Sequence, residues 1–325
     1  MIDAHRRILE FMSDGEFHSG QQLAKQLNVT RASIWKYLQQ LRAYDLTIES
    51  RRGKGYRLSQ SIELLNATTI TQALTKNASN LCAGITVHDA IDSTNSYLFE
   101  QSKNTLKPGT VVMAEFQTKG KGRRGHQWLS PFASGINFSL FWRLEEAQIN
   151  TGVLSLIVGV AVIRCLKQIG IKGAGLKWPN DIVIDDCKLG GVLIELHGEV
   201  NGPVNIVIGV GLNFQLPESG LELDEYTVTD IFSHQSKVIK RNDIASKLIS
   251  SIFDVLHEMK LQKHITLMNE WRKYDAYKGR TASLLMEDRT ITGKLNGVND
   301  DGYLLMNIQG KEKSFASGEL SVRLK

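Results

Sequence analysis

The chain has 325 residues, 39 Lys and Arg against 34 Asp and Glu for a net charge of +5, and 42% hydrophobic residues. That length predicts two or three domains at about 100 to 200 residues each, and the apolar fraction excludes wholesale disorder. Three widely separated cysteines, Cys82, Cys165 and Cys187, fit reduced thiols, and neither a signal peptide nor an apolar run of the roughly 18 residues that cross a bilayer is present, so the expectation is a cytoplasmic protein with no membrane attachment.

The first 60 residues read as three short helices and a hairpin. Residues 3–12 carry Ile8, Leu9 and Met12; Ser19 is placed to cap a second helix ending at Leu27, and Thr30 to cap a third. At about 100° per residue, Ile34, Tyr37, Leu38 and Leu41 share one face of that third helix, with Ser33, Lys36 and Gln40 opposite. A strand over 46–49, the basic tip Arg51-Arg52-Gly53-Lys54-Gly55 and a return strand over 56–58 complete a winged helix-turn-helix. Seven Lys and Arg against Asp45 and Glu49 between residues 31 and 57 give a local charge of +5, which invites a polyanion. The second helix of such a pair lies in the major groove and the hairpin over phosphates, so Thr30, Arg31, Ser33, Lys36, Gln40 and Lys54 are the candidate DNA contacts.

The linker over 59–68 is short. A helix over 70–74 and a strand over 85–90 follow, and then Asp92-Ser93-Thr94-Asn95, which reads as a helix cap. A β-branched strand over 110–117 runs into Gln117-Thr118-Lys119-Gly120-Lys121-Gly122-Arg123-Arg124-Gly125-His126-Gln127-Trp128. The glycine spacing matches a dinucleotide fingerprint, yet a strand over 136–142 follows where a helix is required, and His126 occupies the position of the Walker lysine. What remains is a cationic glycine loop without an acid, suited to phosphate or carboxylate.

Residues 153–163 read as a buried helix. Lys177-Trp178-Pro179-Asn180-Asp181 turns into a strand, Asp185-Asp186 marks a hairpin, and the return carries Lys188-Leu189-Gly190-Gly191, whose glycines predict a bulge or a ligand close to backbone. A further strand over 204–210 ends in Gly209-Val210-Gly211-Leu212-Asn213. Residues 242–277 read as helical, with Leu248, Ile252, Val255, Leu256 and Met259 as a core face. Strands over 281–286, 289–298, 302–306 and 312–316 fit a small barrel. No HExxH, GxSxG or paired Cys/His cluster occurs, so metalloprotease and serine-hydrolase chemistry have no support.

Taken in order, the motifs at 92–95, 120–125, 177–181, 188–191 and 209–213 resemble those of the biotin protein ligases. With the winged helix in front, the chain resembles the bacterial enzymes that combine ligase and biotin-operon repressor. The resemblance covers nearly the whole chain and implies an α+β protein: a winged helix-turn-helix over 1–65, a central mixed α/β catalytic domain similar to class II aminoacyl-tRNA synthetases over 66–275, and an SH3-like β-barrel over 276–325. It further implies that biotin and ATP, with Mg2+ accompanying the nucleotide and no protein-held metal site, give biotinyl-5′-AMP. Biotin then passes to a lysine of the biotin carboxyl carrier protein of acetyl-CoA carboxylase.

On that resemblance Arg123, Lys188 and Asp181 carry the chemistry. Arg123 and Lys188 hold the developing charge, and Asp181 serves as proton acceptor or metal contact. Ser93, Thr94, Asn95, Gln117, Gly120, Lys121, Arg123, Lys188 and Gly190 contact biotin, and Arg123, Arg124, Gly125, Trp128, Asn137, Lys188 and Asn213 the adenylate. The adenylate is expected to act as corepressor by ordering the loop, closing a homodimer and pairing two winged helices on operator DNA. Two departures stand out: Lys121 replaces the family's usual arginine, and Gly190 its usual alanine. A lipoate-type ligase and a ligand-sensing repressor without turnover are the rival readings.

Overall fold

A computed structural model describes residues 3–102, 106–144, 151–198, 203–217, 227–261, 263–286, 290–316 and 321–324. Three helices, α1 (Asp3–Phe11), α2 (Gly20–Leu27) and α3 (Arg31–Leu41), precede a hairpin of β1 (Ile48–Arg51) and β2 (Gly55–Leu58). Ser19 and Gln22 form a reciprocal capping box that starts α2, and Thr30 Oγ1 accepts from the Ser33 N–H to start α3. Ile8, Leu9, Leu23, Ile34, Leu38 and Leu41 close the core of this unit. Gly55 has φ 110°, and a Cβ there would overlap the His18 carbonyl, so only glycine lets the wing fold back onto the start of α2.

The winged helix is docked on the rest of the chain rather than tethered to it. Phe116, Phe132 and Ala133 belong to its core cluster, and the Tyr44 ring meets Phe116 edge-on at 5.6 Å. Arg6 pairs with Asp89 at 2.5 Å and donates to the Leu65 carbonyl at 3.0 Å. The connecting residues are also held: the Leu65 N–H donates to Glu115 at 2.5 Å, and Arg241 donates to the Glu63 carbonyl at 2.9 Å.

Two short helices, α4 (Ala67–Gln72) and α5 (Lys76–Leu81), lead into β3 (Gly84–His88), α6 (Thr94–Gln101), β4 (Thr110–Ala114), β5 (Gly135–Leu144) and α7 (Thr151–Gln168). Then come β6 (Gly175–Lys177), β7 (Asp181–Ile184), β8 (Cys187–Gly198), β9 (Val204–Asn213), α8 (Arg241–Lys260) and α9 (His264–Lys273). The strands form one sheet in the order β3-β4-β5-β9-β8-β7-β6, parallel between β3 and β4 and antiparallel elsewhere. The apolar α7 buries Leu154, Ile157, Val158, Ala161 and Val162 between this sheet and α8.

The helical stretch expected over 242–277 divides into α8 and α9. Unbroken, 36 residues would run about 54 Å, past the edge of the core. The Leu261 N–H instead closes α8 on the Glu258 and His257 carbonyls, and Arg164 clamps Glu258 of α8 and Glu270 of α9 at 2.5 and 2.6 Å.

The chain ends in β10 (Thr281–Leu285), β11 (Thr290–Val298), β12 (Leu304–Ile308), β13 (Lys311–Phe315) and β14 (Ser321–Leu324), an antiparallel sheet in the order β13-β12-β11-β10-β14. The expected strands are present, and β14 adds one that the sequence reading lacked. Ala282, Leu284, Leu295, Leu304, Met306 and Val322 share the core of the central sheet, and Trp178 Nε1 donates to the Gly302 carbonyl at 3.0 Å.

Candidate functional site

The start of α6, the 117–128 loop, the β7–β8 hairpin, β9 and β14 enclose a cleft of about 1010 Å³, its open mouth included. Among the described residues Lys121, Arg123, Arg124, Lys177, Lys188 and Arg323 line it, against a single carboxylate, Asp181. Burial lowers the pKa of Arg123, as does neighbouring Arg124 more weakly, while Asp181 raises it. Burial lowers that of Lys177 too, reinforced by Arg323 and Lys188 and opposed by Asp181. The cleft therefore holds more positive charge than its own acid compensates, which is the condition for receiving a polyanion.

The floor is neutral. Ser93 caps α6, accepting from the Ser96 N–H at 3.4 Å, and this places Thr94 and Asn95 in the first turn, both buried and facing the cleft. The Thr94 N–H donates to Gln117 Oε1 at 2.9 Å. Ser139 Oγ lies 2.7 Å from Thr94 Oγ1 and 2.5 Å from Asn95 Oδ1, and Asn95 Nδ2 donates to Glu195 at 2.8 Å. Gly209 is required beneath this cluster, because a Cβ there would overlap the Asn95 side chain. Sequence reasoning found Ser93, Thr94, Asn95 and Gln117 and missed Ser139 and Glu195, which sit on β5 and β8 at positions that look like ordinary strand alternation.

The glycine loop is a small closed hairpin. The Gly122 N–H donates to the His126 carbonyl at 2.7 Å and the Trp128 N–H to the Gly120 carbonyl at 2.9 Å, and a Cβ on Gly120 would overlap the Trp128 carbonyl. Arg124 adopts left-handed backbone (φ 56°), followed by Gly125 at 75°. Lys121, Arg123 and Arg124 line both the main cleft and its outer continuation, while Gly120 and Gly125 line only the latter.

Three expected contacts lie behind the wall instead. Asn137 is buried, accepting from Trp128 Nε1 at 2.8 Å and donating to Ser130 Oγ at 2.6 Å, so it holds the indole that lines the cleft. Asn213 donates to the Thr229 carbonyl at 2.9 Å and thereby braces the strand carrying Lys188. Gly190 lies beside the predicted bulge, where β7 and β8 slip register, but the backbone that approaches it is the strand β9: its Cβ would sit 2.5 Å from the Gly211 carbonyl oxygen. Gly191 faces the cleft in its place.

Lys188 Nζ pairs with Asp181 at 2.8 Å and stands 5.8 Å from the Trp128 ring centroid. Asp181 is thus the partner that orients Lys188. Lys177 and Arg323 escaped the candidate residues, the first within a motif already singled out and the second on a strand too short to leave a pattern.

A second surface is the winged helix. On α3, Arg31, Ala32, Lys36, Gln39 and Gln40 are exposed, and Trp35 is 58% exposed. Lys36 and Gln40 of the expected face are exposed, whereas Ser33 is half-buried and bonded to Thr30; Gln40 Oε1 also accepts from His5 Nε2 of α1 at 2.9 Å. In the wing, Arg51, Lys54 and Arg57 surround the Phe17 ring at 5.9, 5.9 and 4.7 Å.

A helix-turn-helix unit joined to a cationic ligand cleft defines a ligand-binding enzyme fused to a DNA-binding module. Residues 87–213 match the biotin/lipoate A/B protein ligase family and residues 5–57 an HTH domain. The chain is 34% identical to the bifunctional ligase/repressor BirA of Escherichia coli (strain K12) over 98% of its own length and 96% of that protein's. It is 29% identical to the biotin--[acetyl-CoA-carboxylase] ligase of Mycobacterium tuberculosis over 70% of this chain and 85% of the relative. The structure of the Aquifex aeolicus biotin protein ligase in complex with biotin and ATP superposes with a TM-score of 0.64 at 29% identity, covering 75% of this chain and all of that one. The chain belongs to the bifunctional biotin ligase/repressor family. No helix among the described residues is long and apolar enough to cross a membrane.

Proposed function

We propose that the cleft joins biotin to ATP. The biotin carboxylate attacks the α-phosphate, forming biotinyl-5′-AMP with release of pyrophosphate; a lysine of the biotin carboxyl carrier protein then attacks the carbonyl, forming an amide and releasing AMP. One observation carries this reading: a neutral hydrogen-bonding floor and an excess of cations share one cleft. Biotin's uncharged ureido ring suits the floor at Ser93, Thr94, Asn95 and Gln117. Its carboxylate and the nucleotide phosphates, which repel each other in water, are brought together by Arg123 and Lys188. Trp128 offers a face to the adenine, with Arg124 and Gly125 at the cleft mouth. Asp181 keeps Lys188 aimed inward.

Among the described residues no three His, Cys, Asp or Glu side chains come together as a metal site. A Mg2+ carried on the ATP phosphates would meet Asp181, the one carboxylate among the described residues that line the cleft. When bound, that ion neutralises phosphate charge.

The same reading extends to the rest of the chain. Residues 1–65 bind operator DNA, 66–275 form a catalytic domain of class II aminoacyl-tRNA synthetase type, and 276–325 form the SH3-like barrel, whose Arg323 reaches the cleft. Beyond Val192, whose backbone is bonded to Asn180, β8 pairs only with β9 among the described strands, leaving an open edge next to the glycine loop. A second copy pairs there once biotinyl-5′-AMP fixes the loop, and the carrier protein competes for the same edge.

The test is pyrophosphate–ATP exchange by the purified protein with biotin, lipoate or no acid. Biotin-dependent exchange is expected; exchange with lipoate alone indicates the lipoate-type ligase, and none with either acid makes the protein a sensor without turnover.

A further inference from the structure

The floor of the cleft is a set of linked hydrogen bonds that meet at Ser139 and end on Asn95 and Gln117. Ser139 has one proton and stands 2.5 Å from Asn95 Oδ1 and 2.7 Å from Thr94 Oγ1. A carbonyl oxygen only accepts, so Ser139 donates to Asn95. Ser139 is also the donor toward Thr94, so its one proton is divided between the two acceptors, with Asn95 the nearer. Gln117 Oε1 accepts twice from Thr94, from its N–H at 2.9 Å and from its hydroxyl at 3.2 Å. Turning the Asn95 amide over would set an N–H against Ser139, which would then give its proton to Thr94 alone and lose its bond to Asn95 Oδ1.

What forbids the reversal is Glu195. Its Oε2 is 2.8 Å from Asn95 Nδ2, and a turned amide would set an oxygen against a carboxylate. We infer that Glu195 is a positioning residue which holds the Asn95 amide and, through it, the Ser139, Thr94 and Gln117 groups of the floor that a ligand meets. With Asn95 held, the Ser139 and Thr94 hydroxyls and the Gln117 amide oxygen stay committed to one another, and the polar floor keeps one arrangement for an uncharged ring that hydrogen-bonds. This rests on the proposal that biotin occupies the cleft. Glu195 itself lines the outer continuation of the cleft with the glycine loop and acts through Asn95.

The experiment is steady-state pyrophosphate–ATP exchange with wild type, Glu195→Ala, Glu195→Gln, Ser139→Ala and the Glu195→Ala/Ser139→Ala double variant, with melting temperatures alongside. Loss of the directing charge-assisted bond is expected to raise the biotin KM about tenfold, or about 1.4 kcal/mol, while kcat and the ATP KM stay within about twofold. Glu195→Gln, which still places an acceptor oxygen against Asn95, recovers part of the loss and remains informative if the alanine variant does not fold. Because both residues act through one chain, the double variant is expected to be no worse than the weaker single one. An unchanged biotin KM in Glu195→Ala or, where that variant does not fold, in Glu195→Gln overturns the inference. So do multiplying effects in the double variant, or equal losses in kcat and the ATP KM. Wild-type protein without biotin-dependent exchange instead overturns the ligase reading on which the inference stands.

Discussion

Glu115 and Arg241 form an ion pair at 2.5 Å with both side chains fully buried, and replacing Glu115 by Gln isolates the worth of its charge. One Glu115 oxygen accepts from Arg241 and the other from the Leu65 N–H, while Arg241 also donates twice to the Gly135 carbonyl, at 2.9 and 2.5 Å, and once to that of Glu63. Glutamine keeps the shape but leaves the guanidinium uncompensated where no water reaches it. Breaking a buried pair from one side costs about 3–5 kcal/mol, a large part of the roughly 5–15 kcal/mol that holds a domain folded. The pair joins the linker, the end of β4 and the start of α8, and Phe116, the next residue, packs in the winged-helix core. Urea unfolding should therefore show a loss of about 3–5 kcal/mol, with faster proteolysis around residues 59–66. Replacing both partners by Met and Leu should not restore stability, because the Glu63 and Gly135 carbonyls would lose their donor at about 1–3 kcal/mol each. A Glu115→Gln protein within about 1 kcal/mol of wild type, with unchanged proteolysis, would refute the reasoning.

Lys188→Met removes the cation beside Asp181 and should lower the exchange rate about 100- to 1000-fold; a change under about threefold would remove Lys188 from charge stabilisation. Lys177 has its pKa depressed below 10.5 chiefly by burial, so below the folded value its charged form costs stability that the unfolded chain does not lose. Its contribution to stability rises as pH climbs from the folded pKa toward 10.5. Lys177→Met should accordingly raise the melting temperature of the ligand-free protein at neutral pH while weakening the stabilisation conferred by ATP, and calorimetry showing no rise would contradict the assignment. For the wing, Lys54→Ala should weaken DNA binding similarly across sequences and reduce the log–log salt slope by about 1; an unchanged slope would place Lys54 away from phosphate.

Features encoded by local backbone chemistry were legible in the sequence. Ser19, Thr30 and Ser93 cap the helices they were expected to cap, and Asp185-Asp186 forms its turn with φ 48° and 63°. Periodicity found α3 and most of its open face: Ile34, Leu38 and Leu41 are buried and Lys36 and Gln40 exposed as expected, whereas Ser33 lies on the flank of the buried stripe and the aromatic Trp35 is left outside. Residue type alone also did not separate a lining side chain from a bracing one. Asn137 and Asn213 carry the same amide as Asn95, yet they support Trp128 and the Lys188 strand from behind. Ser139, Glu195 and Arg323 were invisible because each reaches the site through strand pairing or packing across long sequence separations.

The cations of the cleft also bear on the second step. An acceptor lysine with an ordinary pKa near 10.4 must lose a proton at pH 7, at about 4.6 kcal/mol. A protonated lysine approaching Arg123, Lys188 and Lys177 meets like charge, and the same field that draws in carboxylate and phosphate favours the neutral amine. The products of the first step change that field: pyrophosphate leaves with most of the negative charge, and the adenylate that stays retains a single phosphate. The cleft is thus most cationic, and most able to deprotonate an incoming lysine, once the mixed anhydride has formed and pyrophosphate has gone.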